Sequence, residues 1–435
     1  MKFDASLALQ QRFNQVIPGG SHTYAKGDDQ FPEFMPAYIV RGKGSHVWDA
    51  DGNEYIEYGS GLRSVTLGHA YAPVIEAAYK QMQLGSNFIR PATIELEVAE
   101  QLLSLIKGAE MVKFTKNGSD ANDGALKLAR AYTGRDLVAI CADHPFFSVN
   151  DWFMGTTAMN AGIPEATRQM TLKFRYNDLA SVEQLFAQHP GKIAAVFLEP
   201  EKDKPPANGF LHEVQRLCKK NGAVFILDEM ITGFRWHLNG AQAMYDIVPD
   251  MSCFGKALGN GFAISAVVGK REIMQLGGLH HDKERVFLGS TTHGAETHAL
   301  AAAREVMNVY GREPVIKTMW ERGERLANGF TKAAADCNLQ DQVAVFGKPC
   351  CLVYGTKDQD KQPSQGFRTL FIQESMKRGV LGSSLVISYA HSEEDIDRTV
   401  EALHGAMRVY RKALDEGLDK YLEGRPVKPV MRARN

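Results

Sequence analysis

The chain has 435 residues, of which 44% are hydrophobic and 23% charged, the composition of a globular protein with a large buried core. Its formal net charge of −1 and the lack of any basic block give no support to a role at nucleic acids or membrane surfaces. No apolar stretch approaches the length of a bilayer span, and the six cysteines lack metal-ligand spacing, so we expect a cytoplasmic protein without a metal site.

The first elements predicted in chain order are a short N-terminal helix and a hairpin, whose turn is marked by Asp51-Gly52 between two alternating runs. From about residue 70 to residue 300 helices and strands alternate. Helices are predicted over 71–83, 93–107, 120–132, 179–188 and 209–221, and strands over 111–115, 137–141, 193–198, 223–228, 250–254 and 263–268. This alternation is typical of an α/β fold with a mostly parallel sheet flanked by helices.

After residue 310 the pattern changes. A long amphipathic helix is predicted over 314–337, followed by two or three short strands and a helix that starts at Glu393 and passes Leu414. These elements indicate a smaller α+β domain, which the N-terminal hairpin completes. We therefore predict an N-terminal segment over 1–60, a large domain over 61–310 and a small C-terminal domain over 311–435.

Two charged residues end predicted strands of the α/β region: Asp228 follows one apolar run and Lys256 follows the next. Because the carboxyl ends of parallel strands meet at one edge of a sheet, we expect the two side chains to lie close together. An enzyme that uses pyridoxal 5′-phosphate (PLP) needs such a pair. The lysine forms an imine with the cofactor aldehyde, and the carboxylate keeps the pyridine nitrogen protonated. Charged residues also end strands in many other α/β proteins, so the pair alone does not decide.

A polar segment follows the predicted strand 111–115 and opens a helix. Gly118 would let the backbone turn tightly, and Ser119 would face outward together with the free amides of the first helical turn. Such an arrangement binds phosphate, because the helix dipole adds positive potential at the same place. An ordinary N-cap has the same kind of sequence, and this alternative stays open. Thr291 in the polar loop 289–294 offers a further hydroxyl for the same phosphate.

The order and spacing of these motifs resemble the class III, fold-type I PLP-dependent aminotransferases, and within that class glutamate-1-semialdehyde aminomutase and its relatives. The resemblance covers residues 15–410. It is carried by Val47–Tyr58, Leu67–His69, Asn117–Asn122, Leu128–Asp136, Leu198–Pro200, Leu227–Arg235, Cys253–Gly261 and Ala390–Ile396. It implies the fold-type I PLP transferase fold, and a homodimer with shared active sites that acts on a small-molecule amino donor and a carbonyl acceptor.

The resemblance also implies roles for individual residues. Lys256 would bind the cofactor and move the proton between substrate and cofactor, Asp228 would pair with the pyridine nitrogen, and Thr291 would reach the phosphate from the neighbouring subunit. The residues implied to bind PLP are Gly118, Ser119, Glu199, Asp228, Lys256 and Thr291.

One departure from the family concerns the aromatic ring that stacks on the cofactor. The family has Tyr-His-Gly at this point, whereas this chain has Asp-His-Pro-Phe-Phe-Ser over 143–148. Phe146 or His144 would take over the stacking, and an alignment without gaps places Pro145 there. We take Phe146 as the candidate and leave the alternatives open.

A second departure concerns positions that face the substrate in the aminomutase. Its glutamate in a Phe-Glu-Ala turn is replaced by Gly382-Ser383-Ser384, and its arginine after Pro-Gly-Gly is missing from 21–24. The resemblance then favours a transaminase for a hydroxyl-rich acceptor, such as the enzymes that make 8-amino-3,8-dideoxy-octulosonate for lipopolysaccharide. Arg63 and Arg90 would suit an anionic substrate, although surface ion pairs are an equally good explanation. The alternatives are the aminomutase itself and a non-enzymatic protein of the same fold, which would be expected to lack the lysine or the aspartate.

Overall fold

A computed structural model describes residues 1–144 and 146–434 of the chain. Its strands are β1 (Ile39–Lys43), β2 (His46–Asp49), β3 (Glu54–Glu57), β4 (Met111–Thr115), β5 (Leu137–Cys141), β6 (Thr171–Phe174), β7 (Ile193–Leu198), β8 (Val224–Asp228), β9 (Met251–Phe254), β10 (Ser265–Gly269), β11 (Val343–Phe346), β12 (Cys351–Thr356), β13 (Val380–Leu381) and β14 (Leu385–Val386). No helix within the described ranges is long and apolar enough to cross a membrane.

Its α-helices, several of which are single turns, are α1 (Asp4–Val16), α2 (Ser60–Arg63), α3 (Ala72–Gln83), α4 (Thr93–Leu105), α5 (Gly118–Thr133), α6 (Asp151–Met154), α7 (Glu165–Arg168), α8 (Leu179–Gln188), α9 (Phe210–Asn221), α10 (Ala241–Met244), α11 (Arg271–Met274), α12 (Thr297–Arg312), α13 (Val315–Asp336), α14 (Gln365–Met376) and α15 (Glu393–Glu416). The chain divides into two compact units. One is formed by Met1–Tyr71 with Lys317–Arg432, and the other by Ala72–Ile316 with the end of the chain.

The unit formed by Ala72–Ile316 is built on a seven-stranded sheet with the order β4-β10-β9-β8-β7-β5-β6. Strands β5 to β9 pair in parallel, whereas β10 runs antiparallel to both β4 and β9. Alternate residues of β8 belong to two separate cores: Val224 and Ile226 pack with α5, and Phe225 and Leu227 pack with α8 and α9. A strand with helices on both faces must be apolar throughout, which explains its uninterrupted hydrophobic run. The predicted mostly parallel sheet flanked by helices is confirmed.

The predicted helices and strands of this unit lie within two residues of their expected bounds. Strand β6 and helix α12 were not among the predicted elements. Strand β6 is a four-residue edge strand with one lysine in it, too short to have a strong periodic apolar signal.

The unit formed by Met1–Tyr71 and Lys317–Arg432 contains two small sheets, ordered β1-β2-β3-β13 and β11-β12-β14. The predicted hairpin is present, because β2 and β3 pair antiparallel on either side of Asp51-Gly52. Strand β13 pairs in parallel with β3, so a late part of the chain completes the N-terminal sheet. Together with the long helices α13 and α15, these sheets form the smaller α+β part of the fold that the sequence predicts.

Candidate functional site

Asp228, the last residue of β8, is buried and hydrogen-bonded through both oxygens. Its Oδ1 accepts a hydrogen bond from the amide of Met230 at 2.8 Å, and its Oδ2 accepts one from Nδ2 of Asn122 at 2.9 Å. Burial, followed by the nearby Glu199 carboxylate, raises the pKa of Asp228 to about 6, although Lys256 and the two hydrogen bonds act in the opposite direction. A carboxylate in this environment would be stabilised by binding a cation.

Lys256 follows β9, the parallel neighbour of β8, and in their register Asp228 lies opposite Cys253. The structure therefore brings Asp228 and Lys256 to the same edge of the sheet. Lys256 opens a single 3-10 turn over Lys256–Gly259 and has a φ of 43°, in the left-handed region. This conformation costs a residue other than glycine about 1–2 kcal/mol. Backbone strain of this kind is typical of functional sites.

The side chain of Met230 packs against two glycines near Asp228 and Lys256. A Cβ at Gly118 would lie 2.9 Å from Sδ of Met230, and a Cβ at Gly255 would lie 2.7 Å from the same sulfur and overlap the hydroxyl of Ser265. Neither glycine has a φ in the left-handed region. The turn at Gly118 therefore uses no left-handed conformation, and a side chain at this position would require the side chain of Met230 to move.

Helix α5 starts at Gly118 and is capped by Asn117, whose Oδ1 accepts the amide of Asp120 at 3.0 Å. The ordinary N-cap is thus present, but it uses only one of the first-turn amides. Those of Gly118 and Ser119 have no acceptor among the described residues. Oγ of Ser119 accepts the amide of Val149 at 3.0 Å and keeps its own proton for donation. The start of α5 therefore offers a hydroxyl and two amides to an anion.

Asn122 is a residue of this site to which the sequence analysis gave no role. It lies one helical turn after Ser119 on α5 and is fully buried. Besides its bond to Asp228, its Nδ2 donates to the carbonyl of Phe147 at 2.5 Å, and its Oδ1 has no partner among the described residues. The i, i+3 spacing from Ser119 was the available signal, because it places the two side chains on one helix face.

Glu199 follows β7 and is also buried. Its amide donates to Nδ1 of His144 at 3.0 Å, so in the neutral imidazole the proton is on Nε2. Burial lowers the pKa of His144, which favours that neutral form. Oε1 of Glu199 lies 3.5 Å from Nζ of Lys202, whereas Oε2 has no partner among the described residues. The orphaned oxygens of Asn122 and Glu199 fit a site that holds an additional polar group.

The segment 143–148 was expected to supply the ring that stacks on the cofactor. Phe146 is 44% exposed, and its ring meets Phe153 edge-on with 5.7 Å between centroids. The ring of His144 packs 4.9 Å from that of Tyr176. Pro145 lies outside the described residues. Stacking by Phe146 or His144 therefore stays a prediction.

Thr291 and Arg90 line a cavity of about 430 Å³ within the same unit. Both side chains are exposed. Thr291 also borders a cavity of about 140 Å³ beside Asp120 and Asp123 of α5. Arg63 is half-buried on α2 in the other unit, with a φ of 70°.

The residues of this unit fit PLP by their chemistry. The start of α5 suits the phosphate, the buried Asp228 suits a protonated pyridine nitrogen, and Lys256 at the same edge suits the aldehyde. The start of α5 favours an anion and Asp228 favours a cation. The site therefore matches a ligand that is anionic at one end and cationic at the other.

Comparison with known proteins agrees with a PLP site. The family model Aminotransferase class-III matches residues 24–407. A glutamate-1-semialdehyde 2,1-aminomutase from Desulforamulus reducens is 31% identical over 433 residues, which cover 94% of this chain and 99% of the relative. A protein of the same name from Alkaliphilus metalliredigens is 29% identical over 436 residues, with 94% and 98% covered. The solved PLP internal aldimine form of the FumI protein from Sphingopyxis sp. MTA144 has a TM-score of 0.85 and 28% identity, with 94% of this chain and 97% of that one covered.

Proposed function

Because this chain belongs to the class-III aminotransferases and is a PLP-dependent enzyme, we propose that it is an external transaminase. It moves an amino group from an amino-acid donor, for which we propose L-glutamate, to the aldehyde of a hydroxyl-rich sugar acid. The observation that supports the PLP chemistry most strongly is the buried pair of Asp228 and Asn122 at the sheet edge that also carries Lys256.

PLP supplies an electron-accepting ring and a carbon that carries the amino group between the two substrates. In our proposal Nζ of Lys256 would bind the cofactor through its aldehyde and would move a proton to and from the reacting carbon of the substrate. Asp228 keeps the pyridine nitrogen protonated, and Asn122 orients the carboxylate. The amides of Gly118 and Ser119, with the hydroxyl of Ser119, bind the phosphate. Glu199 supports the site through its contact with His144.

The preference for two separate substrates rests on Gly382-Ser383-Ser384. The aminomutase must retain one intermediate while the amino group moves between neighbouring carbons, whereas an external transaminase releases its first product and admits a second substrate. In this chain no acid occurs between Gly379 and Ser388. The carbonyls of Gly382 and Ser383 accept hydrogen bonds from Tyr354 at 3.3 Å and Arg368 at 2.7 Å, so the turn is held by its own unit.

For the acceptor we propose the 8-aldehyde of a 3-deoxy-octulosonate, whose amination gives 8-amino-3,8-dideoxy-octulosonate for lipopolysaccharide. The test is a reaction with L-glutamate and this aldehyde, followed by mass spectrometry of the sugar product and enzymatic assay of 2-oxoglutarate. We expect the two products in equal amounts with ping-pong kinetics. Turnover of simple aldehydes together with none of the sugar aldehyde would contradict this acceptor and leave the transaminase assignment intact.

The second candidate is glutamate-1-semialdehyde 2,1-aminomutase, which is favoured by the relatives of that name that align over 94% of the chain. The two candidates differ in whether a separate donor is needed. We expect little conversion of glutamate-1-semialdehyde to 5-aminolevulinate. Efficient formation of 5-aminolevulinate without any added donor would replace our first candidate with this one.

We further propose a homodimer with shared active sites, in which Thr291 contacts the phosphate bound by the other subunit. Its exposure, and the exposed apolar side chains of Phe88, Ile89 and Phe287 in the same unit, support this proposal because a second copy would cover them. Dilution to monomers should weaken PLP binding, which sedimentation combined with cofactor absorbance can measure. A PLP-saturated, active monomer would contradict the shared site.

A further inference from the structure

In the unit formed by Ala72–Ile316, hydrogen bonds join the loop 85–91 to the loop 289–297. We call the surface that these two loops form the arginine platform. Nδ2 of Asn87 in the first loop donates to the carbonyl of Thr292 in the second at 2.9 Å. The amide and the hydroxyl of Thr297 donate to carbonyls of the first loop at 3.0 and 2.7 Å. Three hydrogen bonds therefore fix the position of one loop relative to the other.

Arg90 and Thr291 of the platform both line the cavity of about 430 Å³. The other charged residues that line this cavity are Lys113 and Glu95. Oε1 of Glu95 accepts the amide of Ala92 at 2.8 Å and so serves the start of α4. Arg90 is exposed and has no acidic partner among the described residues. The cavity thus carries an excess of positive charge, with a guanidinium available to an external anion.

Exposed apolar side chains also line this charged cavity. Ile89, next to Arg90, is 101% exposed, and Phe88 is 51% exposed. Apolar side chains that are exposed to water do not stabilise an arginine on the surface of a monomer. A positively charged cavity framed by apolar side chains is instead typical of a site that another protein surface completes.

We propose that Arg90 acts in trans: with Thr291 it enters the active site of the partner subunit, where it binds the substrate carboxylate furthest from the reacting carbon. This inference rests on the proposed transaminase and on its proposed homodimer. L-glutamate, the proposed donor, carries such a carboxylate, and we assign Arg90 to the half of the reaction that uses this donor. The planar guanidinium suits this role because it matches a carboxylate with two parallel hydrogen bonds.

The first test compares Arg90→Ala and Arg90→Lys with the wild type in single-turnover reactions with L-glutamate and L-glutamine. Glutamine has a neutral amide where glutamate has its distal carboxylate. We expect Arg90→Ala to lower kcat/KM for glutamate about 10- to 100-fold, to change that for glutamine little, and to leave PLP affinity unaltered. Arg90→Lys should recover part of the loss, because it restores the charge without the fork of donors.

The matched control is Arg216→Ala, which removes an exposed arginine of α9 that pairs with Glu213 on the helix surface. It should behave as the wild type. An equal loss for glutamate and glutamine in Arg90→Ala, or no loss for either, would overturn the role of Arg90 while the wild type still transaminates. A wild type that reacts with no amino-acid donor would overturn the proposed function as well.

The second test determines whether Arg90 acts in cis or in trans. Differently tagged Lys256→Ala and Arg90→Ala subunits are coexpressed, and the hybrid dimer is purified through both tags. If Arg90 acts in trans, the hybrid has one site with both Lys256 and Arg90, and its glutamate kcat/KM should be about half the wild-type value per dimer. If it acts in cis, no site in the hybrid has both, and a hybrid no more active than the Arg90→Ala homodimer would overturn the proposal.

Discussion

Asn122 donates a hydrogen bond from Nδ2 to Oδ2 of Asp228 at 2.9 Å, and both side chains are buried. The bond favours the charged form of a carboxylate whose pKa burial raises to about 6. Asn122→Ala should therefore raise the pKa of Asp228 further and weaken PLP binding about tenfold, the effect of one hydrogen bond to a charged group. Fluorescence titration of the apoprotein with PLP measures this. Asn308→Ala, in an exposed position on α12, is the control, and equal affinities in the two variants would contradict the positioning role.

Asp228→Asn should still bind PLP but lose several orders of magnitude in turnover, because a neutral pyridine ring is a poor electron acceptor. Steady-state rates of variant and wild type, each saturated with PLP as judged by absorbance, give the comparison. Near-normal turnover would show that Asp228 has only a structural role.

The stability of the cofactor-free protein should depend on pH through the same residue. In the folded protein burial raises the pKa of Asp228 to about 6, above the usual value of 3.8 for an aspartate. The folded state then binds the proton more tightly than the unfolded state. Its contribution is complete below about pH 4 and is lost as the pH rises through about 6. Relative to Asp228→Asn, the wild-type apoprotein should lose up to about 3 kcal/mol across this range. Urea unfolding at several pH values tests this, and a difference between the two proteins that does not change with pH would contradict it.

Lys256→Ala should abolish covalent attachment of PLP on treatment with borohydride, because the proposed imine requires Nζ of that residue. Peptide mapping of the reduced wild-type protein should find the cofactor on the peptide that contains Lys256. Lys220→Ala, an exposed lysine of α9, serves as the control and should label normally. A labelled peptide elsewhere in the chain would show that another lysine binds PLP.

The sequence predicted most of the fold because the strands of a parallel sheet with helices on both faces are uninterrupted apolar runs. The run that ends at Asp228 is an example. The position of Lys256 after the neighbouring strand follows from the same regularity. The contacts of Asn122, and the close packing of Met230 against Gly118 and Gly255, depend on how α5 lies on the sheet. Such contacts join residues far apart in the chain, and neither periodicity nor motif spacing reports them.

The sequence also could not predict that the second loop forms part of the arginine platform. Asn87 and Thr292 are distant in the chain, and only the three-dimensional structure shows the hydrogen bond that joins the loops of Arg90 and Thr291. The sequence left Arg90 with two explanations, substrate binding and a surface ion pair. Among the described residues Arg90 has no acidic partner, and substrate binding by Arg90 stays a proposal.

The central claim is that this enzyme takes an amino group from a separate donor, and the most direct measurement is a single turnover with L-glutamate alone. Purified enzyme saturated with PLP is mixed with excess L-glutamate and no acceptor, and the visible absorbance of the cofactor and the released 2-oxoglutarate are followed together. We predict that the absorbance is lost as one equivalent of 2-oxoglutarate per site appears. No 2-oxoglutarate from glutamate, with full conversion of glutamate-1-semialdehyde to 5-aminolevulinate by the same preparation, would contradict the claim.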